Sequence, residues 1–216
     1  MRFTRWCGLF LVVVAVGVGY QLRSLAAGNG PKDTKKESAV VKVSVFDKNA
    51  KLIQVEVPRV VKSDEEWLRQ LGPQAYKVVR AKGTEAAFCG TLLDNKKHGV
   101  YACAGCELPL FSSDAKFNSG TGWPSFFKPI GEGNVVTDTD RSHGMIRNEI
   151  LCARCGGHLG HIFDDGPPPT GHRHCVNSES LKFYDNSELS KLADPAAEKA
   201  TAGQPATKPA TQPAGK

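Results

Sequence analysis

Cys103-Ala-Gly-Cys106 and, forty-five residues further on, Cys152-Ala-Arg-Cys155-Gly-Gly-His-Leu-Gly-His161 decide how the rest of this chain is read. Each Cys-x-x-Cys unit places two thiolates at a spacing that lets a tight turn aim both at one ion. Two such units complete a tetrahedral site, for which zinc is the expected metal. Four thiolates leave no open position for water, so the ion expected at Cys103, Cys106, Cys152 and Cys155 is structural. Two disulfides or a redox dithiol are the alternative. No strand running into a long helix follows either unit, and Gly105 and Gly156 suit knuckle turns, which favours the metal.

Working outward, the sequence from Thr84 to Tyr184 has no long helical period. It breaks into short apolar runs at Gly99–Ala104, Leu108–Ser112, Ser125–Ile130, Gly144–Leu151, Leu159–Phe163 and Arg173–Tyr184, separated by Gly, Pro and Asp. Runs of this length suit strands, which average about five to six residues. The expected fold is therefore mainly β, a small antiparallel domain preceded by short helices. Ser63-Asp-Glu-Glu66 has capping-box spacing and opens a helix to Leu71, and Gly72-Pro73 restarts a second one that Gly83 ends. Before them, Val40–Phe46 and Leu52–Val57 alternate as strands around Asp47-Lys48-Asn49. This gives an added hairpin over 40–60 and a main domain over 61–186.

The flanks read differently. Arg2 and Arg5 precede the apolar run Cys7–Tyr20 and the small residues around Ala26 and Ala27, the order of a secretory leader over 1–27. Fourteen apolar residues fall short of the roughly 20 needed to span a bilayer, yet an uncleaved signal-anchor stays open, and either way the domain is exported. Residues 28–39 and the Ala/Pro/Thr/Lys tail 193–216 lack apolar periodicity and are expected to be disordered. The formal charge of +6 belongs mainly to the leader and linker. Residues 1–39 hold six basic and two acidic groups, whereas the body between 40 and 192 holds 19 and 18. A near-neutral body argues against nucleic acid as a partner. Membrane contact is expected only if the leader stays attached.

Of the seven cysteines, Cys7 lies in the leader and four are the expected metal ligands, which leaves Cys89 and Cys175. Cys175 sits in Gly171-His-Arg-His-Cys-Val-Asn-Ser178. Basic neighbours there (His172, Arg173 and His174) are expected to lower its pKa, and Asn177 adds an amide. A buried, inert cysteine is equally consistent with these local residues. His158 and His161 follow the second knuckle directly. With the metal already saturated by sulfur, they are candidates for acid/base work near a thiol. Trp123 and Phe126, in Asn118-Ser-Gly-Thr-Gly-Trp-Pro-Ser-Phe-Phe127, are candidates to wall in a sulfur-bearing methyl group, with Arg173 beside them. At least one of Phe126 and Phe127 is expected in the core.

Taken together, Gly122-Trp-Pro-Ser-Phe126, the paired Cys-x-x-Cys units, Arg154-Cys-Gly-Gly-His-Leu-Gly-His-Ile-Phe-Asp-Asp-Gly166 and Arg173-His-Cys-Val-Asn-Ser178 resemble the methionine-R-sulfoxide reductase family. The resemblance runs in order from about Ser63 to Tyr184. It implies a tent of two antiparallel sheets, with zinc on the side away from the active site. It also implies that Cys175 is the nucleophile, with His158, His161, Asn177 and Trp123 around a methionine sulfoxide, free or in protein. Attack would leave methionine and a sulfenic acid on Cys175, reset by a thioredoxin-like donor. Many relatives carry a resolving cysteine where this chain has Thr121. Cys89 is the remaining candidate for that role, with a packing cysteine as the alternative. Two other functions stay open to the sequence: a zinc-ribbon binding module with an inert Cys175, and a general disulfide oxidoreductase acting through a Cys-x-x-Cys pair.

Overall fold

The computed structural model describes residues 39–202, so the leader, the linker up to residue 38 and the tail from residue 203 lie outside the described residues. Among the described residues no helix is long and apolar enough to cross a membrane. The chain opens with the hairpin β1 (Val40–Phe46) and β2 (Leu52–Pro58). Its inward valines Val43, Val45, Val55 and Val57 are buried in the main core, so the hairpin is part of the domain wall rather than an appendage. The buried amide of Asn134 fastens it. Its Oδ1 accepts from Ser44 N at 2.6 Å, and its Nδ2 donates to Ser44 O at 2.7 Å and Pro109 O at 2.6 Å.

Helix α1 (Asp64–Val79) begins at Ser63 with both halves of the capping box formed, a device worth about 1 kcal/mol. The two helices expected on either side of Gly72-Pro73 are both present, joined end to end through a kink at Gly72. Gly72 takes φ 73°, a left-handed conformation that costs glycine little, and Pro73 restarts the helix with its fixed φ. Trp67, Val78 and Val79 are its buried residues.

The strands that follow form two sheets, all of their pairings antiparallel. β3 (Gly99–Cys103), β4 (Pro109–Ser112) and β11 (Leu181–Asp185) make a three-stranded sheet in the order β11-β3-β4. β5 (Lys116–Phe117), β6 (Ser125–Phe126), β7 (Val135–Asp140), β8 (Arg147–Cys152), β9 (His158–Phe163) and β10 (Arg173–Val176) make a six-stranded sheet in the order β5-β6-β10-β9-β8-β7. The apolar run Arg173–Tyr184 is therefore two strands in different sheets, separated by the 3-10 turn Ser178–Ser180. Sequence periodicity does not reveal β7. It is a sheet edge whose Val-Val-Thr-Asp-Thr-Asp side chains are mostly exposed, the charged composition that blunts an edge.

The tail is also corrected at its start. Disorder expected from Ala193 gives way to helix α2 (Pro195–Ala202), with Ala197 fully buried and Asp194 bonded to Arg154 at 2.6 Å. Short apolar content sufficed because the helix packs on β2 and has no core of its own to build.

One irregularity positions the chemistry. Between Ile150 and Leu151 the β8–β9 register shifts, so that Ile150 pairs with Gly160 and Leu151 with His158, and Leu159 is left over. Residues three apart point to opposite faces of an uninterrupted strand. The bulge cancels that alternation, and the rings of His158 and His161 come to lie 5.6 Å apart.

Candidate active site

Cys175 on β10 and His161 on β9 are direct cross-strand partners. Together with Trp123, Arg147, Phe163 and Asn177 they line a cavity of about 120 Å3. Pockets for drug-sized ligands run to about 300 Å3 and more, so this one suits a small end group. A larger groove of about 600 Å3 lies across Trp123, rimmed by Phe88, Lys96 and Lys97, but Cys175 does not line it.

The Cys175 thiol is half-buried, and burial pushes it above the ordinary thiol range, against the pull of the Arg173 guanidinium and the Thr121 hydroxyl. The lowering expected from its basic neighbours is thus outweighed. Strand alternation is one reason. His174 points to the opposite face, buried beside the Phe111 ring at 5.6 Å with Nδ1 on Phe126 O, and burial holds its pKa down, so it lends no charge. His172 is exposed and faces Asp164. Arg173 is not free either. It makes two bonds to Asp165, at 2.8 and 2.9 Å, and lies over the Phe163 ring at 4.3 Å.

Phe126, expected against the substrate, is a core residue. It is fully buried and stacked on Phe111 with ring centroids 4.4 Å apart, because at its strand position the side chain faces the interior. Trp123 does line the cavity, held by Nε1 donating to Glu85 O at 3.2 Å. Asn177 lines it too, though its Oδ1 accepts from Glu85 N and its Nδ2 donates to Leu159 O, leaving one amide hydrogen for anything bound there.

The two histidines occupy different depths. His161 lines the cavity, and its Nε2 lies 2.9 Å from Asp140 Oδ2. His158 is buried behind it, its Nδ1 2.6 Å from Glu149 Oε1, while Glu149 Oε2 accepts from Lys82 at 2.7 Å. Burial lowers the His158 pKa, with Glu149 opposing. The sequence reading missed Asp140, Glu149 and Lys82. Asp140 stands 21 residues from His161 and Glu149 nine from His158, joined to them by the β7–β8–β9 register, and Lys82 reaches Glu149 from the segment after α1. Glu85 was missed as well. Its carboxylate caps the Ser178 and Glu179 amides at 2.7 and 3.1 Å, fixing the turn after Cys175.

Cys89 is exposed, in a turn where Phe88 takes φ 64° and Phe88 N donates to Gly122 O at 2.8 Å. That bond holds the Cys89 segment beside Gly122, next to Thr121.

The four other cysteines among the described residues converge. Their sulfurs all lie within 4.8 Å of one another, and the Cys103–Cys155 and Cys106–Cys152 separations are 3.6 and 3.5 Å. A disulfide needs about 2.05 Å, so these are free thiols. The cluster can hold a metal ion. None of the four lines the cavity with Cys175. α1 closes over the knuckles: Gln70 donates to Gly105 O at 2.7 Å, and Arg80 donates to Cys155 O at 3.0 Å while lying over the Trp67 ring.

Residues 71–185 match the SelR domain. The chain is 58% identical over 124 residues to the peptide methionine sulfoxide reductase MsrB of Leptospira interrogans, covering 57% of this chain and 95% of that protein. It is 52% identical over 126 residues to the MsrB of Agrobacterium fabrum, covering 58% and 93%. With that of Hahella chejuensis the identity is 51% over 136 residues, covering 63% and 98%.

Proposed function

The chain belongs to the SelR family and is a thiol-dependent methionine-R-sulfoxide reductase, and from that premise we propose which residues perform the reduction. Cys175 is the nucleophile and His161 the proton donor. The observation that carries this reading is their cross-strand pairing on one small cavity walled by Trp123. A sulfoxide sulfur becomes electrophilic once its oxygen is protonated or strongly hydrogen-bonded. The Cys175 thiol, protonated at rest, first passes its proton to His161, and the thiolate then takes the oxygen: thiolate, sulfoxide and one proton become sulfenic acid and thioether. His161 supplies that proton, and His158 and Asn177 hold the surroundings in place. Trp123 offers its face to the S-methyl group, an attraction of about 0.3 to 1.5 kcal/mol.

The sulfenic acid condenses with a second thiol, releasing water and forming a disulfide. Cys89 is that thiol, on the strength of its exposure and its place beside Gly122. A thioredoxin-like dithiol then reduces the disulfide by exchange. A non-catalytic binding module is not favoured.

The metal at the four cysteines is zinc. Zn–S bonds of about 2.3 Å in a tetrahedron give sulfur separations of about 3.8 Å, close to the spacing seen here. When bound, zinc supplies no chemistry to the reaction and cross-links β3 and β8 with their turns. Export, by a leader cut near Ala26 or Ala27 or kept as an anchor, completes the reading; a mature N-terminus found there on protein outside the cytoplasm is the expected result.

The test of function is to offer both epimers of a methionine sulfoxide peptide with dithiothreitol. Methionine is expected from the R epimer alone, and none from Cys175→Ser. Turnover by Cys175→Ser would overturn the assignment of the nucleophile.

A further inference from the structure

Asp140 ends β7 directly opposite Arg147, the first residue of β8, and the pair closes the mouth of that hairpin. Its carboxylate has three partners. Oδ1 accepts from Ser142 N at 2.8 Å, and Oδ2 meets Arg147 Nη2 at 2.6 Å and His161 Nε2 at 2.9 Å. These bonds hold Asp140 well below the ordinary carboxylate range, so it is ionised whenever the protein is folded near neutral pH. Arg147 balances the charge and itself lines the cavity with Cys175 and His161.

We infer that Asp140 is a positioning residue for the reduction: it holds His161 by Nε2, so that the proton given to the sulfoxide oxygen leaves from Nδ1. The inference rests on the reading of His161 as proton donor. The two nitrogens of an imidazole are chemically distinct, and the bond made by one determines what the other can offer. An anion fixed at Nε2 keeps a hydrogen there. The imidazolium then has its second hydrogen on Nδ1, and after transfer the neutral ring keeps the Nε2–H tautomer with Nδ1 ready to accept again.

The groups packed around His161 agree with this division of labour. Glu149 lies opposite it on β8 but is engaged by His158 and Lys82, His158 presents a ring edge at 5.6 Å, and Cys175 lies opposite on β10. Among these described neighbours Asp140 alone is a carboxylate bonded to the His161 ring. The 141–146 loop beyond the pair exposes Met145 and Ile146.

The test compares Asp140→Asn, Asp140→Glu and His161→Ala with dithiothreitol as reductant. Asn keeps the shape but puts an amide where the anion was, and kcat is expected to fall about 100-fold, the scale of one lost proton-transfer group. KM should stay within about twofold, metal content should be unchanged, and Asp140→Glu should recover most of the rate. Full activity in Asp140→Asn beside a crippled His161→Ala overturns the inference and spares the reading of His161. Full activity in His161→Ala overturns both. Equal losses in the Asn and Glu variants that track thermal stability mark Asp140 as merely structural. Should the Asn variant fail to fold, the imidazole NMR spectrum of the wild-type protein decides. A slowly exchanging Nε2–H on His161 is expected, and a ring protonated only at Nδ1 in the neutral form contradicts the inference.

Discussion

Cys175 and His161 are cross-strand partners on β10 and β9, and both side chains open onto the cavity walled by Trp123. A thiol and its acid held by one sheet register need no loop movement to meet.

The thiol itself is raised by burial. In the free enzyme near neutral pH it is therefore protonated, because its pKa lies above the ordinary value of about 8.5. Alkylation of Cys175 by iodoacetamide, followed by peptide mass spectrometry, is expected to be slow at pH 7 and to keep accelerating beyond pH 9. Removing the guanidinium in Arg173→Met takes away a lowering influence and should move the profile further up. Rapid alkylation at pH 6 would contradict the burial argument.

Cys89 and Cys175 should be joined after substrate oxidation. Cys89→Ser is expected to leave the first methionine per chain intact and to lower thioredoxin-linked turnover more than tenfold. Turnover with dithiothreitol, which is small enough to reach the sulfenic acid, should fall less. Undiminished thioredoxin-linked turnover and no Cys89–Cys175 disulfide in peptide maps would make Cys89 a surface residue without a role.

The metal site should behave as folding energy. Elemental analysis is expected to give one zinc per chain, and Cys103→Ser should lose it together with a cooperative thermal transition near that of wild type. Active protein free of zinc would count against this.

Much of this was legible in the sequence, since metal-ligand spacing and short alternating runs are local patterns. The capping box at Ser63 and Glu66 forms as its spacing requires. What escaped depends on register. His158 and His161 share a face because of one bulge, and Asp140 and Glu149 reach them across strands. Phe126 and His174 were misread because the face a residue takes on a short strand is fixed by its neighbours in the sheet, not by its motif. The helix Pro195–Ala202 owes its order to β2 and to Arg154, far away in sequence.

Asn134 is the clearest structural dependency. Asn134→Ala leaves Ser44 and Pro109 backbone groups without buried partners and is expected to cost about 2 to 4 kcal/mol, read from denaturant midpoints. Limited proteolysis should then cut the hairpin over 40–58 first. A variant as stable as wild type would mean that the hairpin is held by its valines alone.

The most direct measurement is a single turnover without reductant, using enzyme in excess over the R epimer of a methionine sulfoxide peptide and dimedone to trap sulfenic acid. In Cys89→Ser protein, which cannot condense, one dimedone adduct on Cys175 is expected for each methionine formed. Methionine formed without an adduct on Cys175, or by Cys175→Ser, would contradict this.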